Sequence, residues 1–581
     1  MKINKLVSNL AFTIALIYCA FLGNSFAQTS EPILRIETGS HTQMITSIAV
    51  DDNNRYFVSA SKDKTLRVWD LETEKLLRVL RVPIERGNYG QLKRVEISPD
   101  GSIVAAICNE SVEAHEWTVF LFETVTGKII KRIDNKTLNP QGENEQISVT
   151  AIDDIKFSRN GNEIALFGSG LAIYSLKSRW VEFKEETFAG GLLFPSDLVD
   201  FDSKGNLAIA DLQNQLRIYS KSSGTWKQVK LIKFPSPISS LIFSPDGTKL
   251  GVSFWDLTEP PKSVFQIYST NNYLLTNEII NFIPAESLIS AKVAEWSLDS
   301  KTIISLSFKG LLIWDIDKTK SNPLIKTNNN IFQDFAVLKS GRIVFATFDG
   351  KLGFVDSKGQ IDFIVNDSFF SLEDYESTDF QLSPNGLGVQ ICISREGEFS
   401  ADKILSCESF LNFDLINSSL TFEKKMFSNW NQRVTEDKNF NFTKDDSGIK
   451  LNGRQTELAN REIEEIKART AVSSDREFVL AGDMSNLYLF DKQGNKRWKT
   501  INDDFIDEVN LSKDGKLAVA SFFNGIVRWY RMSDGQEIVA LFADKTKKRW
   551  ILWTPSGILQ YFARWRRFDW LARQQRQRVN T

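Results

Sequence analysis

Two histidines, His41 and His115, are the whole imidazole complement of the 581-residue chain. Chemistry that needs a histidine base together with histidine metal ligands therefore has almost nothing to draw on. His41 precedes Ser59 and Asp63, and the three supply the residue types of a hydrolase triad. The same types suit hydrogen bonds that tie one strand to the next, and with Trp69 they read as a structural group. His115 stands in Glu113-Ala114-His115-Glu116-Trp117. Two nearby carboxylates would make it a metal ligand; the simpler reading is the tip of a solvated hairpin. No His-Glu-x-x-His, no Gly-x-x-x-x-Gly-Lys-Ser/Thr loop and no nucleophile elbow is present. Gly168-Ser169-Gly170 is too short to cradle a phosphate and fits a β-turn, and Lys545-Thr546-Lys547-Lys548-Arg549 reads as one solvated loop. The expectation is a protein with no catalytic residue, no metal and no cofactor.

The elements that would position these residues share one pattern. An apolar residue, a small polar residue, a turn and a glycine precede a second apolar run, as in Ile97-Ser98-Pro99-Asp100-Gly101 and Phe243-Ser244-Pro245-Asp246-Gly247. Pro presets φ, Asp or Asn bonds back to the backbone, and Gly accepts positive φ, which is the chemistry of a strand entering a tight turn. With Asn54, Ser300 and Arg476 as degenerate members, the glycine column stands at 54, 101, 161, 205, 247, 300, 341, 386, 476, 515 and 557. The one long step, from 386 to 476, reads as two periods with a turn worn away. About twelve units with a mean period of about 46 residues fall in the range of a four-stranded propeller blade. Only Gln455–Arg469 looks helical, and the alternative is one local insertion or a charged strand.

The stretch Phe57-Val58-Ser59-Ala60-Ser61-Lys62-Asp63-Lys64-Thr65-Leu66-Arg67-Val68-Trp69-Asp70 resembles the WD-repeat family. A second Trp-Asp pair, Trp314-Asp315, matches the same motif, which decays to Phe354-Val355-Asp356, Phe413-Asp414 and Phe490-Asp491. The resemblance covers the chain to about residue 557. It implies an all-β, WD-repeat-like β-propeller in which His41, Ser59, Asp63 and Trp69 form a hydrogen-bonded chain within one blade. Ser40 separates Gly39 from His41 where the family usually has Gly-His. Twelve blades exceed one ring of four to eight, so two propellers are expected, the second incomplete: residues 31–367 with about seven blades and 368–560 with about five units. Ile33-Leu34-Arg35-Ile36 would close the first ring as an N-terminal strap.

Composition narrows the rest. The chain is 42% hydrophobic and 25% charged, the balance of a folded globular protein. A formal charge of -2 provides no global basic field for nucleic acid. Lys2 and Lys5, an apolar run from Leu10 to Leu22, and Ser25 and Ala27 before Gln28 read as a signal peptide over residues 1–27. A retained anchor is the alternative, although the run is shorter than the roughly 20 residues of a membrane span. No later segment is apolar enough to cross a bilayer, so no stable membrane insertion is expected after cleavage. Cys392 and Cys407 either pair across a hairpin near Glu398–Ser400 or remain two buried thiols. The chain therefore reads as an exported protein, periplasmic or extracellular.

The expected function is a non-catalytic scaffold with a protein partner. Two alternatives stand beside it. Gly494-Asn495-Lys496-Arg497-Trp498 resembles the tail of a repeat in quinone-cofactor dehydrogenases, whose propellers carry that tryptophan in most blades; here it occurs once. The run Lys548-Arg549-Trp550-Ile551-Leu552-Trp553-Thr554-Pro555-Ser556-Gly557 resembles a segment near the end of bacterial WD-repeat regions, some of which continue into a caspase-like peptidase that is absent here. Beyond it, residues 561–581 hold six Arg and one Asp. Permitted codons for residues 563–573, read one base later, encode Pro-Gly-Gly-Glu-Asp-Leu-Ile-Gly-Trp-Gln, a string similar to the one that succeeds this segment in the family. The basic tail is thus expected to be a frameshift product with no evolved role.

Overall fold

The computed structural model describes residues 39–111, 117–138, 152–186, 197–211, 213–256, 262–281, 294–307, 310–317, 320–321, 325, 332–347, 350–365, 380–395, 407–431, 433–445, 447–458, 469–522, 524–544, 549–555 and 557–561. Expectations for the signal peptide, the strap at 33–36, His115, the boundary near 367 and the tail beyond Tyr561 fall outside these residues. The chain is all-β. Its described residues form eleven antiparallel sheets: nine of four strands, one of three and one of six. A single helical turn, Asn135–Leu138, is the one described helical element. No described helix is long and apolar enough to cross a membrane.

The first sheet shows how the repeat folds. Strands β1 (Ile45–Val50), β2 (Tyr56–Ser61), β3 (Thr65–Asp70) and β4 (Lys75–Arg81) pair in chain order. β2 and β3 are buried almost throughout, whereas β4 is mostly exposed. A strand buried on both faces loses the alternating pattern of a half-buried one, and here a neighbouring sheet covers each face. Val58, Leu66 and Val68 pack with Val95, Ile97 and Val104 of the second sheet, while Phe57 and Trp69 pack with Val344 and Phe354 of the seventh.

The turn at the end of each leading strand explains the sequence motif. Ser98 Oγ donates to Asp100 Oδ1 (2.6 Å) and accepts the amide of Ile103 (2.9 Å). Ser244, Asp246 and Lys249 repeat the arrangement at 2.6 and 2.9 Å. Positive φ occurs at every ruler position from Asn54 to Gly515, including Ser300 (57°) and Arg476 (58°).

Leading strands of the first seven sheets (residues 45–365) touch in succession, and Phe332–Val337 of the seventh returns to Ile45–Val50 of the first. Among the described residues the seventh sheet has four strands, all from residues 332–365. The remaining four sheets pack on one another: the ninth (442–455) on the tenth (470–501), the tenth on the eleventh (506–561), and the eleventh on the eighth (380–423). Asn431 bridges to Leu382 of the eighth sheet, and Val434 O accepts the Val472 amide of the tenth at 2.8 Å. The turn at Gly557 opens no separate sheet. Arg549–Thr554 and Gly557–Tyr561 extend the outer edge of Glu537–Asp544, so two sequence units share one six-stranded sheet. Of the stretch expected to be helical or a charged strand, Gln455 ends the short strand Arg454–Gln455, and residues 459–468 lie outside the described set.

Candidate functional site

His41, Ser59, Asp63 and Trp69 are joined across the first sheet, from Asp63 in the β2–β3 turn to Trp69 near the far end of β3. His41 Nδ1 is 2.8 Å from Asp63 Oδ2, and Nε2 is 2.8 Å from Ser59 Oγ. Trp69 Nε1 donates to the same Ser59 oxygen at 3.1 Å. The order Asp-His-Ser is the wiring of a hydrolase triad, but its setting is different. Ser59 is fully buried and His41 is 2% exposed, so a substrate has no approach to the hydroxyl. Instead the chain of bonds joins the entry to β1 with β2 and β3. Asp63 also accepts from the amides of Thr42 (3.1 Å) and Thr65 (2.9 Å). Burial works against the Asp63 carboxylate, yet the charge and hydrogen bond of His41, together with Arg67 and Thr65, hold it well below the usual carboxylate range. Trp69 stacks on Phe57 at 5.6 Å, and Phe57 meets Phe354 of the seventh sheet edge-on at 6.2 Å. The tetrad thus sits beside the contact between the first and seventh sheets.

The other singled-out residues are dispersed. Trp314 Nε1 donates to Ser305 Oγ at 3.1 Å in the sixth sheet, repeating one link of the tetrad, and Asp315 Oδ1 accepts the amide of Asp317. Gly168-Ser169-Gly170 joins the strands Glu163–Gly168 and Gly170–Ser175. Trp498 is buried and donates to Met532 O at 2.7 Å, a packing contact with the eleventh sheet. Residues 545–548 of the basic run lie outside the described set. Cys392 and Cys407 form a disulfide with Cα atoms 5.9 Å apart, and Cys108 is a buried free thiol whose pKa burial pushes up.

A set of polar residues on the leading strands escaped the sequence reading. Asp154 Oδ2 accepts the Leu198 amide at 3.1 Å, Asp200 Oδ2 that of Phe243 at 2.8 Å, and Asp334 Oδ2 that of Ile48 at 2.7 Å. Each carboxylate reaches from its own sheet to the next, the last across the contact between the seventh and first. Asn510 does the same in the later group, donating to Phe380 O at 3.1 Å. Between them run ion pairs: Arg94 with Asp154 (3.2 Å) and Asp197 (2.8 Å), and Lys156 with Glu96 (2.9 Å). Burial opposes the charges on Arg94 and Lys156, but the surrounding carboxylates more than compensate and raise both pKa values. Burial pushes the Asp154 carboxyl up, with Arg94 opposing and Asp197 reinforcing the shift. The signal was present in the ruler: Arg94, Asp154 and Asp334 stand seven residues before their turn position, and Glu96, Lys156, Asp200 and Asn510 stand five before.

Among the described residues no group of three or more His, Cys, Asp or Glu is arranged to hold a metal ion. The described polar groups singled out above tie strands within a sheet, as in the tetrad, or one sheet to the next, as at Asp154, Asp200 and Asp334. A sequence profile described as WD domain, G-beta repeat matches residues 32–70, the span that holds His41, Ser59, Asp63 and Trp69. That match and the recurring four-stranded antiparallel sheets support a WD-repeat protein.

Proposed function

We propose that the chain is an exported, non-catalytic β-propeller scaffold that binds another protein through its surface loops. The observation that carries this reading is the burial of its triad-type residues in ties between strands. Function in such folds is grafted onto the loops that the rigid sheets present, and WD repeats generally mediate protein–protein interaction. The Cys392–Cys407 disulfide supports export, because disulfides persist in oxidising compartments. The signal-like segment at residues 1–27 agrees with it. In this reading residues 31–367 form a ring of about seven blades, residues 368–560 a second, incomplete propeller of about five units, and residues 561–581 a frameshifted tail. Affinity capture from an envelope fraction, followed by direct binding of the purified captured protein, tests the proposal. Saturable binding supports it, and turnover of a small molecule by the pure chain overturns it.

A further inference from the structure

The first and eleventh sheets meet through loops far apart in sequence. The Gly87 amide donates to Asn502 O at 2.7 Å, and the Lys62 ammonium lies 5.0 Å from the centre of the Phe505 ring. Between these contacts Asp504 is 2% exposed. Its Oδ1 accepts the Phe505 amide at 2.7 Å, while Oδ2 is buried with no hydrogen bond. Lys64, whose charge favours the ionised Asp504, also donates from its ammonium to Glu85 O at 2.8 Å. An ionised carboxylate enclosed in this way loses its hydration without a full set of donors, whereas the neutral acid does not.

We propose that Asp504 makes this junction a proton-operated latch, docked while its carboxyl is protonated and loosened when it ionises. The surroundings are consistent with that assignment. The first sheet contributes Lys62, Asp63 and Lys64 from the β2–β3 turn, with the His41–Asp63 pair on the same edge, and Glu85 and Arg86 follow before the second sheet. From the eleventh side come Asp503, paired with Arg528 at 3.1 Å, and Asp507, together with Tyr530, which bonds to Asn502. The Gln43 side chain and the Asn524 backbone lie near Asp504 and favour its ionised form, but they do not outweigh burial. Burial raises the Asp504 pKa from 3.8 to about 7, with Lys64 and the nearby hydrogen bonds opposing the shift. A group whose pKa is raised on docking binds its proton more tightly in the docked state. Docking is therefore favoured below neutrality and weakened as the pH rises through that value.

Amide hydrogen exchange on the full chain, corrected for the intrinsic pH dependence of exchange, tests the latch at Gly87. Between about pH 6 and about pH 8.5, protection of the peptide covering Gly87 should fall about tenfold, while Leu517–Phe522 keeps its protection. Asp504→Asn should hold Gly87 equally protected at both values, and Asp504→Ser serves if the amide fails to fold. Both leave His41 and Asp63 in place, so a slope that survives has a source other than Asp504. Loss of protection shared by all peptides, or an equal slope in wild type and in the folded neutral variant, would overturn the proposal.

Discussion

A buried serine between histidine and tryptophan is the residue-scale hinge of this account. Removing Asp63 leaves the His41 ring and the Thr42 and Thr65 amides without their acceptor, and removing Trp69 empties a packed site between two sheets. Asp63→Ala or Trp69→Ala should therefore cost about 2–4 kcal/mol, read as a lower unfolding midpoint in denaturant. His115→Ala, on the hairpin-tip reading, should stay within about 0.5 kcal/mol; equal losses at both places would contradict the roles assigned. The turn aspartates make a second prediction. Slight burial raises the Asp246 pKa, but hydrogen bonds from Ser244 and Thr248, with Lys249, outweigh it and bring it down to about 2. Asp100, Asp299 and Asp514 shift the same way. A depressed carboxylate stabilises the fold above its unfolded pKa and loses that contribution as the pH falls toward the folded value. The turns should thus contribute a fall in the unfolding temperature between about pH 4 and pH 2; no fall over that range would sink this reading.

At the scale of elements, the turn ruler was the legible part of the fold, because a positive φ four residues past the end of a strand restricts the residues that can stand there. Its three degenerate members have a reason the sequence alone did not reveal. The Asn54 side chain accepts the Lys339 amide at 2.6 Å, Ser300 Oγ that of Asp246 at 3.2 Å, and Arg476 reaches Asp437 at 2.6 Å. Each exchanges glycine's freedom for a bond to a neighbouring segment. Gly205 and Gly247 separate the two costs of adding a side chain. A Cβ at Gly205 meets nothing within 4 Å, whereas at Gly247 it would lie 2.2 Å from Ser203 Oγ. Gly205→Ala should lose about 1 kcal/mol from backbone strain alone, and Gly247→Ala clearly more, up to about 3 kcal/mol. Equal melting shifts would mean that the turns do not pack against each other as described. The fate of the last unit was not legible. Trp553-Thr554-Pro555-Ser556-Gly557 has the local chemistry of a new sheet, yet its strands add to an existing edge. That choice depends on which edge is free in three dimensions, and a local turn motif carries no information about it.

For the whole molecule, the sequence reading reached the sheet repeat and the tetrad but not the contacts between sheets. Asp334 and Ile48 are 286 residues apart, and no periodic pattern of apolar residues marks such a pair. Asp334→Ala removes the acceptor that joins the seventh sheet to the first. It should cost about 1–3 kcal/mol and raise amide exchange at Ile48 before it does so in Glu163–Gly168. The junction at Asp504 was illegible for the same reason, since it joins loops whose residues follow no shared spacing. On the proposed reading these contacts form a frame whose surface loops are left for recognition. The most direct test is calorimetric titration of the purified chain, residues 28–581, with a purified protein captured by it from the envelope. The account predicts saturable binding that survives Asp63→Asn in any variant that remains folded, because the tetrad is a tie and not a recognition site. Binding or turnover of a small molecule that disappears in that folded variant would contradict it.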